Sequence, residues 1–247
     1  MNSTILYMQT VDTLIIILLP AVIVAAVIFF LYARKLASAN IANRREEMHL
    51  LAMKINFSFS QDDEGGIAEF LDSEKSFFYG GEGNIENVIF GKKNGIDVAL
   101  FDYIFSGLQK ESMTVCLLTL PAKISTFKMI PLADADIESG KTVELGDKLL
   151  SDKYRLECED KEFARTAFNE DLVEFLSRRR RTFVLGHGNS MLFHREKQLS
   201  TRTCFSLLDF AFGLYTKMGI EAAPIEEEMT TADSEKPLDI RADLYAD

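Results

Sequence analysis

The sequence predicts an α+β fold, with a mostly antiparallel sheet, packed helices and one preceding transmembrane helix. Three observations predict it: an uncharged apolar run at residues 14–32, short β runs joined by turns over residues 87–130, and a β-α-β-β-α order over residues 154–218. Strands grouped in hairpins and then followed by helices are typical of an antiparallel sheet that helices cover.

Residues 14–32 are nineteen consecutive residues without a charge. At a helical rise of about 1.5 Å per residue they reach roughly 28 Å, which matches the hydrocarbon core of a bilayer. A cleaved signal peptide would carry positive charge before the apolar run and small residues after it, whereas bulky residues end this run. The run therefore predicts one transmembrane helix, preceded by a short extracytoplasmic N-terminus at residues 1–13.

The charges that flank the span predict its orientation. Asp12 is the only charged residue before it, and four basic residues follow it: Arg34, Lys35, Arg44 and Arg45. Lys and Arg close to a span stay on the cytoplasmic side. We therefore expect a single-pass protein of the inner (cell) membrane, with its N-terminus outside and its C-terminal domain in the cytoplasm. The same four side chains are candidates for contact with lipid headgroups or phosphate.

Residues 33–56 predict a juxtamembrane helix, because they are rich in helix-forming residues and contain neither Pro nor Gly. Its second half carries a narrow apolar stripe formed by Met48, Leu51, Ala52 and Ile55. We expect this end of the helix to pack on the core of the domain that follows.

Residues 57–219 are predicted to form the cytoplasmic α+β domain. Its first part predicts a short strand at residues 57–60 and a helix at residues 67–78. The clearest β signal is a hairpin over residues 87–105, with Asn94 and Gly95 in its tight turn. Further strands are expected at residues 113–120, where Pro121 ends the run, and at residues 127–130, giving an antiparallel meander.

The second part of the domain predicts a strand at residues 154–157, a helix over about residues 160–176, a hairpin of residues 182–186 and 190–194, and a last helix over residues 200–218. The last helix is apolar nearly all round, so we expect it to lie at the centre of the domain or to cover one face of the sheet. Gly219 is expected to end it. Two sub-domains that meet near Gly140 are the other arrangement that the sequence allows.

Charge and cysteine content limit the classes of partner and cofactor that the sequence predicts. The net charge of −11 comes mostly from the C-terminus, where residues 219–247 hold nine acidic residues and two basic ones. Residues 220–247 have few large apolar side chains and predict an acidic disordered tail. A basic stripe interleaved with aromatic residues is missing from the sequence, so no nucleic-acid partner is expected. The three scattered cysteines predict reduced thiols, and neither they nor the histidines predict a metal or another cofactor.

Asp102 is the most unusual residue of the predicted sheet. Strict alternation places it with Val98 and Leu100 on an aliphatic face, and Tyr103 on the opposite face. A buried carboxyl group needs hydrogen-bond partners and can acquire a shifted pKa. Asp102 either accepts hydrogen bonds from a neighbouring loop and holds the meander together, or forms a polar catalytic site with Tyr103 and His187. The sequence places no second carboxylate or histidine beside it, which favours the structural interpretation.

A run of four arginines ends the helix predicted over residues 160–176: Arg178, Arg179, Arg180 and Arg181. Cations are favourable at the C-terminus of a helix because of the helix dipole. The run is a candidate contact for phosphate groups or anionic lipid, and it is alternatively a solvated helix end that meets the acidic tail.

The chain resembles a widespread family of uncharacterised bacterial proteins that have one membrane span and a cytoplasmic α+β domain. Three segments carry the resemblance: Asn87-Val-Ile-Phe-Gly91, Asp97-Val-Ala-Leu-Phe-Asp-Tyr103, and Tyr154-Arg-Leu-Glu157 followed by Phe163. The resemblance covers about residues 13–218 and implies the topology given above. It implies no catalytic residue.

These observations predict a membrane-anchored, non-catalytic binding or adaptor module, whose partner is a protein or the inner membrane surface. The acidic tail is a candidate docking segment. The alternative is a membrane-tethered enzyme with a site near Asp102, Tyr103 and His187. A structural subunit of a larger membrane assembly is a third hypothesis, and it predicts an exposed apolar patch on the domain.

Overall fold

The structure is a computed structural model of the 247-residue chain. It describes residues 2–63, 65–68, 71, 83–106, 112–132, 143, 148–195 and 197–220, with only the backbone at 2–21, 23, 37 and 38. Most of the helix predicted at residues 67–78 and the acidic tail beyond residue 220 lie outside the described residues. The chain divides into two compact units, residues 1–46 and residues 47–247, and each is described by itself.

The first helix, α1 (Asn2–Ile55), contains both the predicted span and the predicted juxtamembrane helix. Its segment Val24–Ile55 is, by length and composition, able to cross a membrane. Phe29 and Tyr32 are 73% and 66% exposed, so the helix presents large apolar side chains that no other part of the described protein buries. Such a helix is typical of a lipid-facing span, and it indicates association with a membrane. The predicted apolar N-terminal helix is confirmed.

The second unit is built on six strands that pair only in antiparallel fashion among the described residues. The strands are β1 (Ser58–Asp62), β2 (Gly83–Lys93), β3 (Ile96–Phe105), β4 (Ser112–Pro131), β5 (Tyr154–Cys158) and β6 (Phe183–His194). The first four follow one another across the sheet, and β5 and β6 both pair with β4. The predicted α+β class, with its antiparallel meander, is confirmed.

The β2–β3 hairpin forms at the predicted turn. Asn94 and Gly95 have φ angles of 55° and 80°, the left-handed conformations that a two-residue hairpin turn requires. The strand β2 also contains a bulge, because the pairing register with β3 shifts between Glu86 and Ile89. Asn87 lies in this bulge with a φ of 57°, and its side chain is turned toward β3.

The prediction that Pro121 ends a strand was wrong, because β4 continues through it to Pro131. Proline cannot donate a backbone hydrogen bond, so a strand normally excludes it from a regular ladder. Here the ladder with β6 is interrupted between Thr119 and Ile124, and the exposed Pro121 lies inside that interruption. The missing donor therefore breaks no pairing in this part of the sheet.

The predicted hairpin at residues 182–194 was also wrong: these residues form one bent strand, β6, of which both halves pair with β4. Twelve residues of straight strand would separate its ends by roughly 36 Å. Instead the rings of Phe183 and His194 are stacked with centroids 4.5 Å apart. Gly186 lies inside this strand and permits the close approach of Phe127, since a Cβ atom there would lie 2.3 Å from the Phe127 ring.

After β4, the described part of the second unit contains four further helices: α2 (Lys148–Ser151), α3 (Lys161–Ala167), α4 (Glu170–Ser177) and α5 (Thr201–Lys217). The prediction of a single helix over residues 160–176 was wrong, because the helix is interrupted between α3 and α4. The side chain of Asn169 accepts a hydrogen bond from the backbone N–H of Leu172 at 2.9 Å, and so begins a new helix. Gly219, with a φ of 63°, follows the end of α5 as predicted.

The helices α1 to α5 cover one face of the sheet, whereas the helical residues Ile67 and Leu71 lie in the cluster on the opposite face. The last turns of α1 pack on the first of these faces through the predicted stripe, with Met48 and Ala52 fully buried. The last helix, α5, lies on the same face and contacts β6 through Phe210 and Phe193, whose ring centroids are 6.2 Å apart. The opposite face of the sheet has its own apolar cluster, which includes Phe101, Tyr103 and Leu192.

Candidate functional site

Asp102 lies at the centre of a hydrogen-bond network and is completely buried. Its Oδ1 accepts a hydrogen bond from the hydroxyl of Thr114 at 2.9 Å. Its Oδ2 accepts from the side-chain amides of Asn87 at 3.2 Å and Gln198 at 3.0 Å. The hydroxyl of Thr114 in turn accepts from the backbone N–H of Leu199 at 2.9 Å. One carboxyl group therefore connects the β2 bulge, β3, β4 and the segment that leads into α5.

This network meets the structural requirement for a buried carboxyl group, because both oxygens accept hydrogen bonds. Asp102 shares its face of β3 with Val98 and Leu100, as the alternation predicted, and the helices cover that face. Asp102 has no solvent-exposed surface, so a substrate at the surface of the described structure would not contact it. The geometry therefore agrees with the interpretation in which Asp102 holds the meander to a neighbouring loop.

The structure does not bring Asp102, Tyr103 and His187 together. Tyr103 points to the opposite face of β3, where it is buried and its ring meets that of Phe105 edge to face, with centroids 5.0 Å apart. His187 is exposed on β6, and its Nδ1 is 2.8 Å from the hydroxyl of Thr126. Asp102 is instead paired with Thr114, twelve positions before Thr126 in β4.

The run of four arginines divides into two pairs with different surroundings. Arg178 forms an ion pair with Glu174 in the same helix, and Arg179 forms one with Asp209 of α5 at 3.1 Å. Arg180 and Arg181 lie beyond the helix, in the segment that leads into β6. In the first unit, Arg34 and Lys35 are exposed on α1, and Arg44 and Arg45 are half-buried.

The segment that contains Arg180 and Arg181 is fixed by Tyr154 and Thr182. The hydroxyl of Tyr154 donates to the carbonyl oxygen of Arg180 at 3.3 Å and accepts from the backbone N–H of Thr182 at 3.2 Å. The hydroxyl of Thr182 also donates to the Arg180 carbonyl, at 3.1 Å. Thr182 is completely buried. The backbone at Arg180 and Arg181 is thus held in one position by buried hydrogen bonds.

The bend in β6 adds a third arginine to this place. Arg195 follows the far end of the strand, yet its Nε donates to the hydroxyl of Thr182 at 3.1 Å. Burial, and then the charge of Arg180, lower the pKa of Arg195. Burial raises the pKa of Tyr154, against the lowering by the Thr182 N–H and by the charges of Arg195 and Arg181. We call Arg180, Arg181 and Arg195 the arginine junction.

A groove of about 570 Å³ lies between the end of α1 and the start of α5. Two large apolar side chains line it and stay exposed: Leu50 and Phe205 are each 53% exposed. Lys54, Arg202 and Glu47 also line it. Sequence reasoning did not identify this surface. The signal was present in α5, where Phe205 interrupts an exposed face that also carries Arg202 and Asp209, but only packing shows which apolar side chains the core leaves outside.

The described residues offer no group of three His, Cys, Asp or Glu side chains that could hold a metal ion. Cys116, Cys158 and Cys204 are buried, unbridged thiols. Burial, and then proximity to Cys204, raise the pKa of Cys116 far above its ordinary value, which keeps this thiol protonated and inert.

No protein-family model matches the sequence, and no curated protein matches it. Among solved structures, the chain is similar to the crystal structure of the mycobacterial trehalose monomycolate transport factor A, TtfA, with a TM-score of 0.53 and 14% sequence identity. The similarity covers 70% of this chain and 93% of that chain. At this identity the likeness shows the fold alone.

Proposed function

We propose that this protein is a non-catalytic accessory subunit that α1 anchors in the inner (cell) membrane. Its N-terminus lies outside, its α+β domain lies in the cytoplasm, and the domain binds an integral membrane transport protein. The observation that carries the proposal is the exposed apolar groove between the end of α1 and the start of α5. The order of charges around the span supports the orientation.

The groove fits an amphipathic helix of the partner. Leu50 and Phe205 expose about half of their surfaces, and covering them would contribute on the order of 2 kcal/mol to binding. Two cations, Lys54 and Arg202, and one anion, Glu47, surround the apolar centre. This balance favours a helix whose apolar face is flanked by acidic residues, the helix-in-groove mode of recognition.

Two further observations support an accessory role. The candidate catalytic residues stand apart, and Asp102 is engaged in connecting strands. The solved neighbour is named as a transport factor, and from that name we take only the class of partner, a membrane transport protein. The basic residues Arg34, Lys35, Arg44 and Arg45 contact anionic headgroups at the cytoplasmic surface in this proposal.

In-cell cross-linking of the full-length chain, followed by mass spectrometry, tests the proposal. Phe205→Glu places a charge in the groove and is expected to remove the cross-linked transport protein. Leu132→Glu is the matched control, because it changes another exposed apolar residue, 43% exposed, that does not line the groove. A third variant lacks residues 220–247.

The proposal predicts that the partner is lost only in Phe205→Glu. Retention of the partner in Phe205→Glu, with loss in the truncated variant, would place the contact on the acidic tail and would overturn the assignment of the groove. Equal capture by all variants would remove the basis for a specific partner.

A further inference from the structure

We propose that the arginine junction binds a phosphate group, carried either by a soluble phosphomonoester or by an anionic lipid headgroup. This proposal does not rest on the accessory role or on the groove. Arg180 and Arg181 come from one end of β6 and Arg195 from the other, so the site exists only because the strand bends back on itself.

The geometry prepares Arg195 for an oxyanion. Its Nε is fixed by Thr182 at 3.1 Å, and this bond sets the plane of the guanidinium group. Its Nη1 is buried and has no hydrogen-bond partner among the residues that the structure describes. A buried donor without a partner costs about 1–3 kcal/mol. Arg195 as a whole is only half-buried, so a phosphate oxygen that meets its guanidinium group would satisfy this donor after a small shift that uncovers Nη1. Guanidinium groups bind phosphate oxygens in pairs.

The surroundings of Arg195 are positive. The charge of Arg180 lowers the pKa of Arg195, and the charges of Arg195 and Arg181 both act on Tyr154. It is unfavourable to hold like charges close together. The hydrogen bonds of Tyr154 and Thr182 fix the backbone at Arg180, which keeps these charges near one another. A dianionic phosphate offsets this repulsion. A monoester carries up to two negative charges near neutral pH, which suits three neighbouring arginines.

The neighbouring arginines supply a control within the same run. Arg178 and Arg179 have the same charge and lie next in sequence, but they are paired with Glu174 and Asp209. Arg179 also lies over the ring of Phe175, 4.9 Å from its centroid. A merely non-specific attraction of anions to basic residues would depend on all four arginines alike. A built site depends on Arg180, Arg181 and Arg195.

The test uses the full-length chain in uncharged detergent micelles at constant ionic strength. Calorimetric titrations measure the binding of inorganic phosphate, glycerol 3-phosphate and dihexanoyl phosphatidic acid. For each phosphate compound that the wild type binds, we expect Arg195→Gln to raise the dissociation constant by about tenfold or more. Arg195→Lys keeps the charge but loses the planar fork, and we expect a similar loss. Arg178→Gln should change the affinity by less than about twofold.

Two comparisons complete the test. If Arg195→Gln does not fold, the exposed Arg180→Gln replaces it, with the same expected loss of binding. Tighter binding of dihexanoyl phosphatidic acid than of glycerol 3-phosphate assigns the phosphate to a lipid, and equal binding assigns it to a soluble ester. The proposal is overturned if the wild type binds none of the three compounds, or if Arg178→Gln weakens binding as much as the junction variants.

Discussion

Replacing Asp102 changes the stability of the domain by an amount that its hydrogen bonds determine. Asp102→Ala removes the acceptor of three side-chain donors, those of Asn87, Thr114 and Gln198, and leaves a small cavity. Each buried donor without a partner costs about 1–3 kcal/mol, although the exchange of partners lowers the sum. We expect a loss of about 3–5 kcal/mol in the free energy of unfolding, the range seen when buried networks are broken.

Asp102→Asn is the gentler substitution, because it keeps the shape of the side chain. Its amide can turn its donors toward Thr114, whose hydroxyl can rotate to accept, while its oxygen still faces the other two donors. The expected loss is therefore about 1–2 kcal/mol. Asp209→Asn is the control, since Asp209 is exposed and forms a surface pair with Arg179. That change should cost less than about 1 kcal/mol.

Urea unfolding of the full-length chain, followed by circular dichroism, measures these losses. A double-mutant cycle of Asp102→Ala with Thr114→Val should give a coupling of about 1–2 kcal/mol, because the two side chains share a hydrogen bond of 2.9 Å and each substitution removes it. The reasoning is refuted if the free energy of unfolding of Asp102→Ala lies within about 0.5 kcal/mol of the wild-type value, because so small a change is typical of a surface position.

Three other predictions test separate parts of the fold. Burial lowers the pKa of His194 to about 4 in the folded chain, against about 6.5 in the unfolded chain. Between these two values the unfolded chain binds more protons, so the free energy of unfolding falls on acidification, by about 2 kcal/mol from neutral pH to pH 5. His194→Gln should abolish this dependence in urea titrations at the two pH values, and an unchanged dependence would contradict it. Gly186→Ala should lower the free energy of unfolding by about 1–3 kcal/mol, because its Cβ meets the ring of Phe127 at 2.3 Å; an unchanged melting curve would argue against the close approach. Met48→Ala should lower the free energy of unfolding by about 2–5 kcal/mol, because Met48 is buried. Leu50→Ala should change it by no more than about 0.5 kcal/mol and should weaken partner capture. Equal losses of stability would show that both side chains belong to the core.

Local patterns in the sequence were sufficient where neighbouring residues decide the structure. The turn depends on Asn94 and Gly95, which tolerate a positive φ, whereas the face of Asp102 and the buried stripe of α1 depend on periods of two and 3.6 residues. The structure has each of them. The break between α3 and α4 was missed, because the apolar period continues across it. The competing signal was Asn169, a residue favoured at the start of a helix.

The course of β4 and β6 could not be read from local patterns. Glycines at residues 186 and 188 are as typical of a hairpin turn as of a bend, and only the pairing of both halves of β6 with β4 distinguishes them. The arginine junction depends on that bend. Arg195 and Arg180 are fifteen positions apart in the sequence, and no periodicity connects them. The groove was likewise missed, because it is defined by the apolar side chains that the core excludes.

Site-specific photo-cross-linking in living cells tests the central claim most directly. A photoreactive phenylalanine analogue is placed at Phe205 in the groove and, as a control, at the exposed Glu162 of α3. The accessory role predicts one discrete adduct from position 205, identified by mass spectrometry as an integral membrane transport protein, and none from position 162. The account is contradicted if position 205 gives no adduct, or if both positions give the same set of proteins.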